Sequence, residues 1–145
     1  DTDFRENPEE YEIGRGEEGV FKVQPYKDEL LPLWSVKDIE SASEAVERLF
    51  ERYEEYRSDG DFVGMDMARK YLQMGYTRAM RYAKYPGGKK YVEEDGERVE
   101  RDPRRWADEE KREIALLYEE RLDEVRDDEK YRRMKEEHRE RSRSS

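Results

Sequence analysis

The chain has 145 residues, of which 40 are acidic and 30 basic, and a formal net charge of −10. With no cysteine it has no disulfide, no thiolate site and no cysteine-based zinc site. No apolar run is long enough to span a membrane and no signal-peptide core follows Asp1, so the expected location is the cytoplasm, away from any membrane.

The length predicts one domain covering 1–145. Only 33% of residues are hydrophobic and 48% are charged, which approaches the disordered regime. Against disorder stand 11 Tyr, 4 Phe and 2 Trp at periodic spacing, which predict a thin, aromatic-rich core. Arg (20) outnumbers Lys (10), and carboxylates dominate. Together these predict adaptation to high salt, where charge repulsion is screened over a few Å.

In chain order, residues 1–10 are expected to be flexible. Residues 11–34 form a looped or β arm: Tyr11-Ile13 and Val20-Val23 flank glycine-rich Gly14 to Gly19, as in a hairpin. Pro32 breaks the apolar cluster Leu30, Leu31, Leu33 and Trp34. A first helix over 35–58 takes Ser35 as N-cap with Asp38 as capping-box partner. Its stripe is Val36, Ile39, Ala42, Val46, Leu49, Phe50, Tyr53 and Tyr56.

A second helix over 61–85 follows after a very short turn, so the two are expected to form an antiparallel helical hairpin. Asp59 or Asp61 caps it, and Pro86-Gly87-Gly88 ends it. An alternating run over 89–100 surrounds Asp95-Gly96, a hairpin turn signal. Asp102-Pro103 starts a third long helix with the stripe Trp106, Ile114, Leu117, Tyr118, Leu122 and Val125. Asp127-Asp128 interrupts the C-terminal helices of 103–138, and 139–145 is expected to be flexible. The predicted class is therefore α+β, mostly α, with one or two short β-hairpins.

The second helix is unusual. From Met67 to Val92, 26 consecutive residues contain no Asp or Glu but seven Lys or Arg. At 100° per residue, Ala68, Tyr71, Leu72, Gly75, Tyr76, Ala79, Tyr82 and Ala83 share one arc, predicted to face a core. The opposite arc is cationic. It predicts an anion-binding face made of Arg69, Lys70, Arg78, Arg81 and Lys84, with Gln73 and Thr77 as hydrogen-bonding groups. Lys89 and Lys90 extend it, and Tyr85 and Tyr91 are placed to stack on bases. The alternative is internal pairing of these cations with carboxylates such as Glu47, Glu51, Glu54 and Glu55.

Other motifs carry less. Gly14, Gly16 and Gly19 spell GxGxxG, but a strand-like run follows where a phosphate-binding helix should begin, and Glu17 and Glu18 repel phosphate. Asp59, Asp61 and Asp66 fail the EF-hand pattern because Val63 and Lys70 occupy ligand positions. His138 is the only histidine and lies in a charged C-terminal segment. No catalytic residue, metal site or cofactor is expected, so the reading leans away from an enzyme.

The run from Tyr11 to Trp34, the run from Gly60 to Tyr91 and the Asp-Pro helix start together resemble the domain of unknown function 4385 family. These are small proteins of bacteria, archaea and some phages. The resemblance extends from Tyr11 to His138, with Glu18 and Leu33 departing from the pattern. It implies no activity and no catalytic residues. It implies that the Gly14 to Trp34 arm and the cationic helix belong to one domain, and the arm is expected to lie near that helix.

The expected function is a non-enzymatic binding module for an anionic partner, RNA or single-stranded nucleic acid. The first alternative is a protein-interaction module that docks an acidic partner or itself. The second is an enzyme acting on a phosphorylated small molecule, whose sign would be a pocket lined by arginines and carboxylates.

Overall fold

A computed structural model describes residues 2–14, 17–85, 91–94, 97–100 and 107–144. After a 3-10 turn at Pro8–Glu10 come α1 (Tyr26–Leu30), a second 3-10 turn (Leu31–Leu33), α2 (Ile39–Ser58) and α3 (Phe62–Lys84). Strands β1 (Tyr91–Glu94) and β2 (Glu97–Glu100) precede α4 (Glu109–Asp127) and α5 (Glu129–Ser144).

The expected α+β class is corrected: the body is helical. Residues 11–34 do not form a β-hairpin. Amides of Lys22 and Val23 close on the Gly19 carbonyl in tight turns, with Gly19 at φ +90°. The buried arm residues Val20, Val23, Tyr26 and Leu30 recur every three to four positions, a helical rather than an alternating period. A single parallel bridge, Asp3 to Gln24, is the arm's only strand-like pairing among the described residues. β1 and β2 pair antiparallel, with Val92 opposite Val99, in the run expected as a hairpin; the Asp95-Gly96 turn lies outside the described residues. Two four-residue strands make a ribbon rather than a second structural layer.

Caps set the helix starts. Asp38, not Ser35, caps α2 by accepting from the Ser41 amide at 2.7 Å. Ser35 sits before the helix, its carbonyl accepting from the Tyr118 hydroxyl at 2.7 Å. Asp61 caps α3 through the Gly64 amide at 3.0 Å. Between the two helices Gly60 takes φ +69°, and the amides of Gly60 and Asp61 close the carbonyls of Arg57 and Tyr56. Asp102-Pro103 lies outside the described residues; α4 begins at Glu109, capped by Asp108. Asp128 separates α4 from α5, and α5 continues to Ser144, through most of the tail expected to be flexible.

Long-range contacts fix the helix directions. Ala83 meets Ala107, Gly75 meets Tyr118 and Asp66 meets Tyr131, so α3 runs antiparallel to α4 with α5 continuing along it. Glu47 pairs with Arg121 and Arg57 with Asp128, so α2 and α4 are parallel, and α2 and α3 form an antiparallel hairpin. α3 is the central element, enclosed by α2, α4, α5 and the arm. From Phe62 to Leu72 it is buried on every side, which a one-sided amphipathic reading does not anticipate. Tyr82, placed by that reading on the core arc, is 42% exposed.

The core solves the shortage of aliphatics with tyrosines. Rings fill volume, and hydroxyls reach acceptors, so among the described residues no buried phenol is left unpaired. Tyr26 donates to Asp61, Tyr53 to Asp128 and Tyr56 to Glu29 at 2.6–2.8 Å. Tyr71 donates to the carbonyl of Val20, tying the arm onto α3. Among the described residues no helix is long and apolar enough to cross a membrane.

Candidate anion-binding site

The predicted cationic face divides in two along α3. In the first half the side chains turn inward. Asp66 is fully buried and accepts from Tyr11 at 2.5 Å, from Tyr131 at 2.6 Å and from Arg69 at 3.0 and 3.3 Å. Burial pushes its carboxyl up, but Arg69 and the two phenols outweigh this and hold it below the usual range. Arg69, 7% exposed, also donates to Gln73 at 2.7 Å. Lys70 is 1% exposed and donates to the Glu18 carbonyl, with its ammonium 5.6 Å from the Tyr11 ring centre. Arg69 and Lys70 are therefore not on an open face. The arm and α5 cover this end of α3, and a buried cation needs a partner.

In the second half the side chains open outward. Thr77, Arg78 and Arg81 are exposed, and Gln73, Lys84 and Tyr85 are half-buried. The Arg78 guanidinium lies 5.9 Å from the Phe21 ring centre and 5.7 Å from that of Trp34. Phe21 is 48% exposed. Glu17 is the acidic neighbour of Arg78; burial raises its carboxyl, and Arg78 opposes the rise. Lys89 and Lys90 lie outside the described residues, and Tyr91 is described only as backbone in β1.

Internal pairing takes Arg69, whose carboxylate is Asp66 of α3 itself. Glu47 pairs with Arg121 of α4, and Glu55 with Arg52 of α2 itself. Asp59, Asp61 and Asp66 do not form a cluster: Asp61 serves Tyr26 and the α3 cap, while Asp66 serves Arg69. Among the described residues no group of acids or histidine is arranged to hold a metal. Of the GxGxxG glycines, Gly14 lies against Glu18 and Lys70, and Gly19 sets a turn; Gly16 lies outside the described residues. His138 is a core residue, 6% exposed, with Nε2 at 2.6 Å from the Tyr11 carbonyl oxygen.

A second cationic feature lies away from the outward half of α3. Between α3, the α4–α5 junction and the arm is a hollow of about 530 Å³. Arg69, Arg126, Arg132, Lys135 and Arg139 line it with Ile13, Gly14 and Tyr131, and among the described residues no Asp or Glu does. The signal was present: 132, 135 and 139 are spaced i, i+3, i+7, one face of a helix. The high local charge of both signs in 126–143 hides it.

A family model described as Domain of unknown function (DUF4385) matches residues 1–141. The chain belongs to this family. No curated protein and no solved structure matches it. The family supplies no activity.

Proposed function

We propose that this DUF4385 protein is a cytoplasmic, non-enzymatic binding module whose partner is RNA or a single-stranded nucleic acid, received on the outward half of α3. The observation that carries the reading is Arg78 set over Phe21 and Trp34, with Phe21 itself open to solvent. Unstacked bases need aromatic or guanidinium planes, and the phosphates between them need cations and hydroxyls. Thr77, Arg81 and Lys84 supply these along the same stretch.

The acid-rich composition and the excess of arginine support function in concentrated salt. Salt weakens counterion-release binding steeply. Stacking and bidentate arginine contacts depend on it less, and this strip offers both.

The test is retention of nucleic acid from native lysate at matched salt, with and without nuclease. The Arg78→Glu/Arg81→Glu variant is expected to lose bound nucleic acid while keeping its helical circular dichroism. Unchanged retention in that variant would sink the reading. Recovery of proteins alone, unaffected by nuclease, together with a concentration-dependent mass in light scattering, would favour an interaction module.

A further inference from the structure

The hollow beside Asp66 is separate from the outward strip of α3, and its chemistry is different. Its cations come from three helices: Arg69 on α3, Arg126 on α4, and Arg132, Lys135 and Arg139 on α5. Several arginines elsewhere in the chain have a carboxylate at hand, as in Arg5–Glu29, Arg52–Glu29, Arg57–Asp128 and Arg121–Glu47. Around the hollow Arg69 has its own carboxylate, Asp66, but the cations of α4 and α5 are left largely uncompensated. Among the described residues Arg126, Lys135 and Arg139 make no ion pair, and Arg132 pairs only with Asp127, at 3.4 Å on the open surface, while its Nε donates to the Arg126 carbonyl at 2.7 Å. Lys135 and Arg139 are four apart on α5, a like-charge spacing that destabilises a helix. In a chain of net charge −10 there was no shortage of acids to relieve it.

We propose that this hollow binds a phosphate monoester. Converging arginines match the tetrahedral oxygens of phosphate with paired, charge-assisted hydrogen bonds. A monoester carries close to two negative charges at neutral pH, against one for the diester inside a nucleic-acid strand, and so suits a multiply cationic site better. The floor is set in advance. Asp66 holds Arg69 through Nε and Nη2, and Gln73 takes Nη1, so the guanidinium is fixed before any ligand arrives. Tyr131, which lines the hollow, is fixed by the same carboxylate. At about 530 Å³ the space exceeds a bare phosphate and has room for the group it esterifies. Burial, together with Arg139, Arg69 and Arg126, holds the Lys135 ammonium below its usual range against the pull of Asp66. A bound dianion would reverse that shift. The monoester has two possible sources, a small phosphorylated metabolite or the phosphorylated end of a strand.

The experiment is calorimetric titration of the full chain at constant ionic strength. The probes are inorganic phosphate, a nucleoside 5′-monophosphate, and one oligonucleotide with either a 5′-phosphate or a 5′-hydroxyl; chloride is the control. Saturable binding of the phosphate probes over chloride is expected. In Arg126→Gln/Arg139→Gln it should weaken by about ten-fold or more, the scale of one lost charged hydrogen bond. Both residues are exposed, so the fold should be kept. In Arg78→Glu/Arg81→Glu phosphate binding should persist, which separates this site from the nucleic-acid strip. Preference for the 5′-phosphate oligonucleotide over its hydroxyl twin would assign the strand end as source. Equal binding of the twins beside a tight monophosphate would assign the small molecule. No saturable phosphate binding, or binding unchanged in the glutamine variant, would overturn the proposal.

Discussion

The phenol of Tyr11, on the arm, donates to Asp66 Oδ2 at 2.5 Å across 55 residues of sequence. On the other oxygen, Oδ1 accepts from Tyr131 of α5 and from Arg69. This carboxylate is the point at which three distant segments meet. Asp66→Asn leaves the Arg69 charge buried without its partner, and unfolding free energy should fall by about 3–5 kcal/mol. Tyr11→Phe removes one hydrogen bond to a charged acceptor and should cost about 1.5–3 kcal/mol. Urea denaturation with an unchanged slope measures both.

Gly75 faces the Tyr118 ring so closely that a Cβ would overlap it. On an open helix face Gly→Ala stabilises by about 1 kcal/mol. Here the sign should reverse, and Gly75→Ala should destabilise by about 1–3 kcal/mol through overpacking. Combining it with Tyr118→Leu should cost less than the sum of the two single losses. Thermal unfolding of the four chains decides this.

Besides Asp66, two carboxylates contribute to the acid limit. Glu29 is lowered from 4.5 to about 2: burial raises it, but hydrogen bonds from Arg5 and Tyr56 prevail. Asp128 is lowered from 3.8 to about 2: burial again opposes, and Arg57 and Tyr53 prevail. A depressed native pKa means that the unfolded chain takes up protons first. Their stabilisation is thus complete above about pH 4.5 and lost as the pH falls toward 2. Melting temperature should drop steeply through that window, and Asp128→Asn should flatten the drop.

The α2–α4 surface pair Glu47–Arg121 should matter asymmetrically. Glu47→Ala removes an exposed ion pair, worth about 0–1 kcal/mol. Arg121→Ala also removes a guanidinium 4.3 Å from the Phe50 ring centre and the packing of its stem. The arginine variant should be the less stable in chemical denaturation.

Local signals were legible in the sequence. The periodic stripes locate α2, α3 and α4, Asp61 serves as the α3 cap, and Asp127-Asp128 marks the break before α5. Signals that depend on enclosure were not. Periodicity assumes one wet side, so Arg69 and Lys70 read as open although the arm and α5 cover them. The arm misread as strands because glycines and short apolar runs suit a hairpin locally, while its true period shows only in Val20, Val23, Tyr26 and Leu30. The outward strip was legible at Arg78 and Arg81, but not its partners Phe21 and Trp34, which are distant in sequence. The basic hollow needed α4 and α5 to be placed beside the arm before its cations could be seen to converge.

Tyr11 and Tyr131 hold opposite oxygens of one buried carboxylate, and His138 also meets the Tyr11 backbone. The arm and α5 therefore do not open independently. Peeling either one away wets Asp66 and Arg69 and removes contacts that help to retain the other. Amide exchange in the two segments should rise and fall together, as one cooperative unit closing over α3 from both sides.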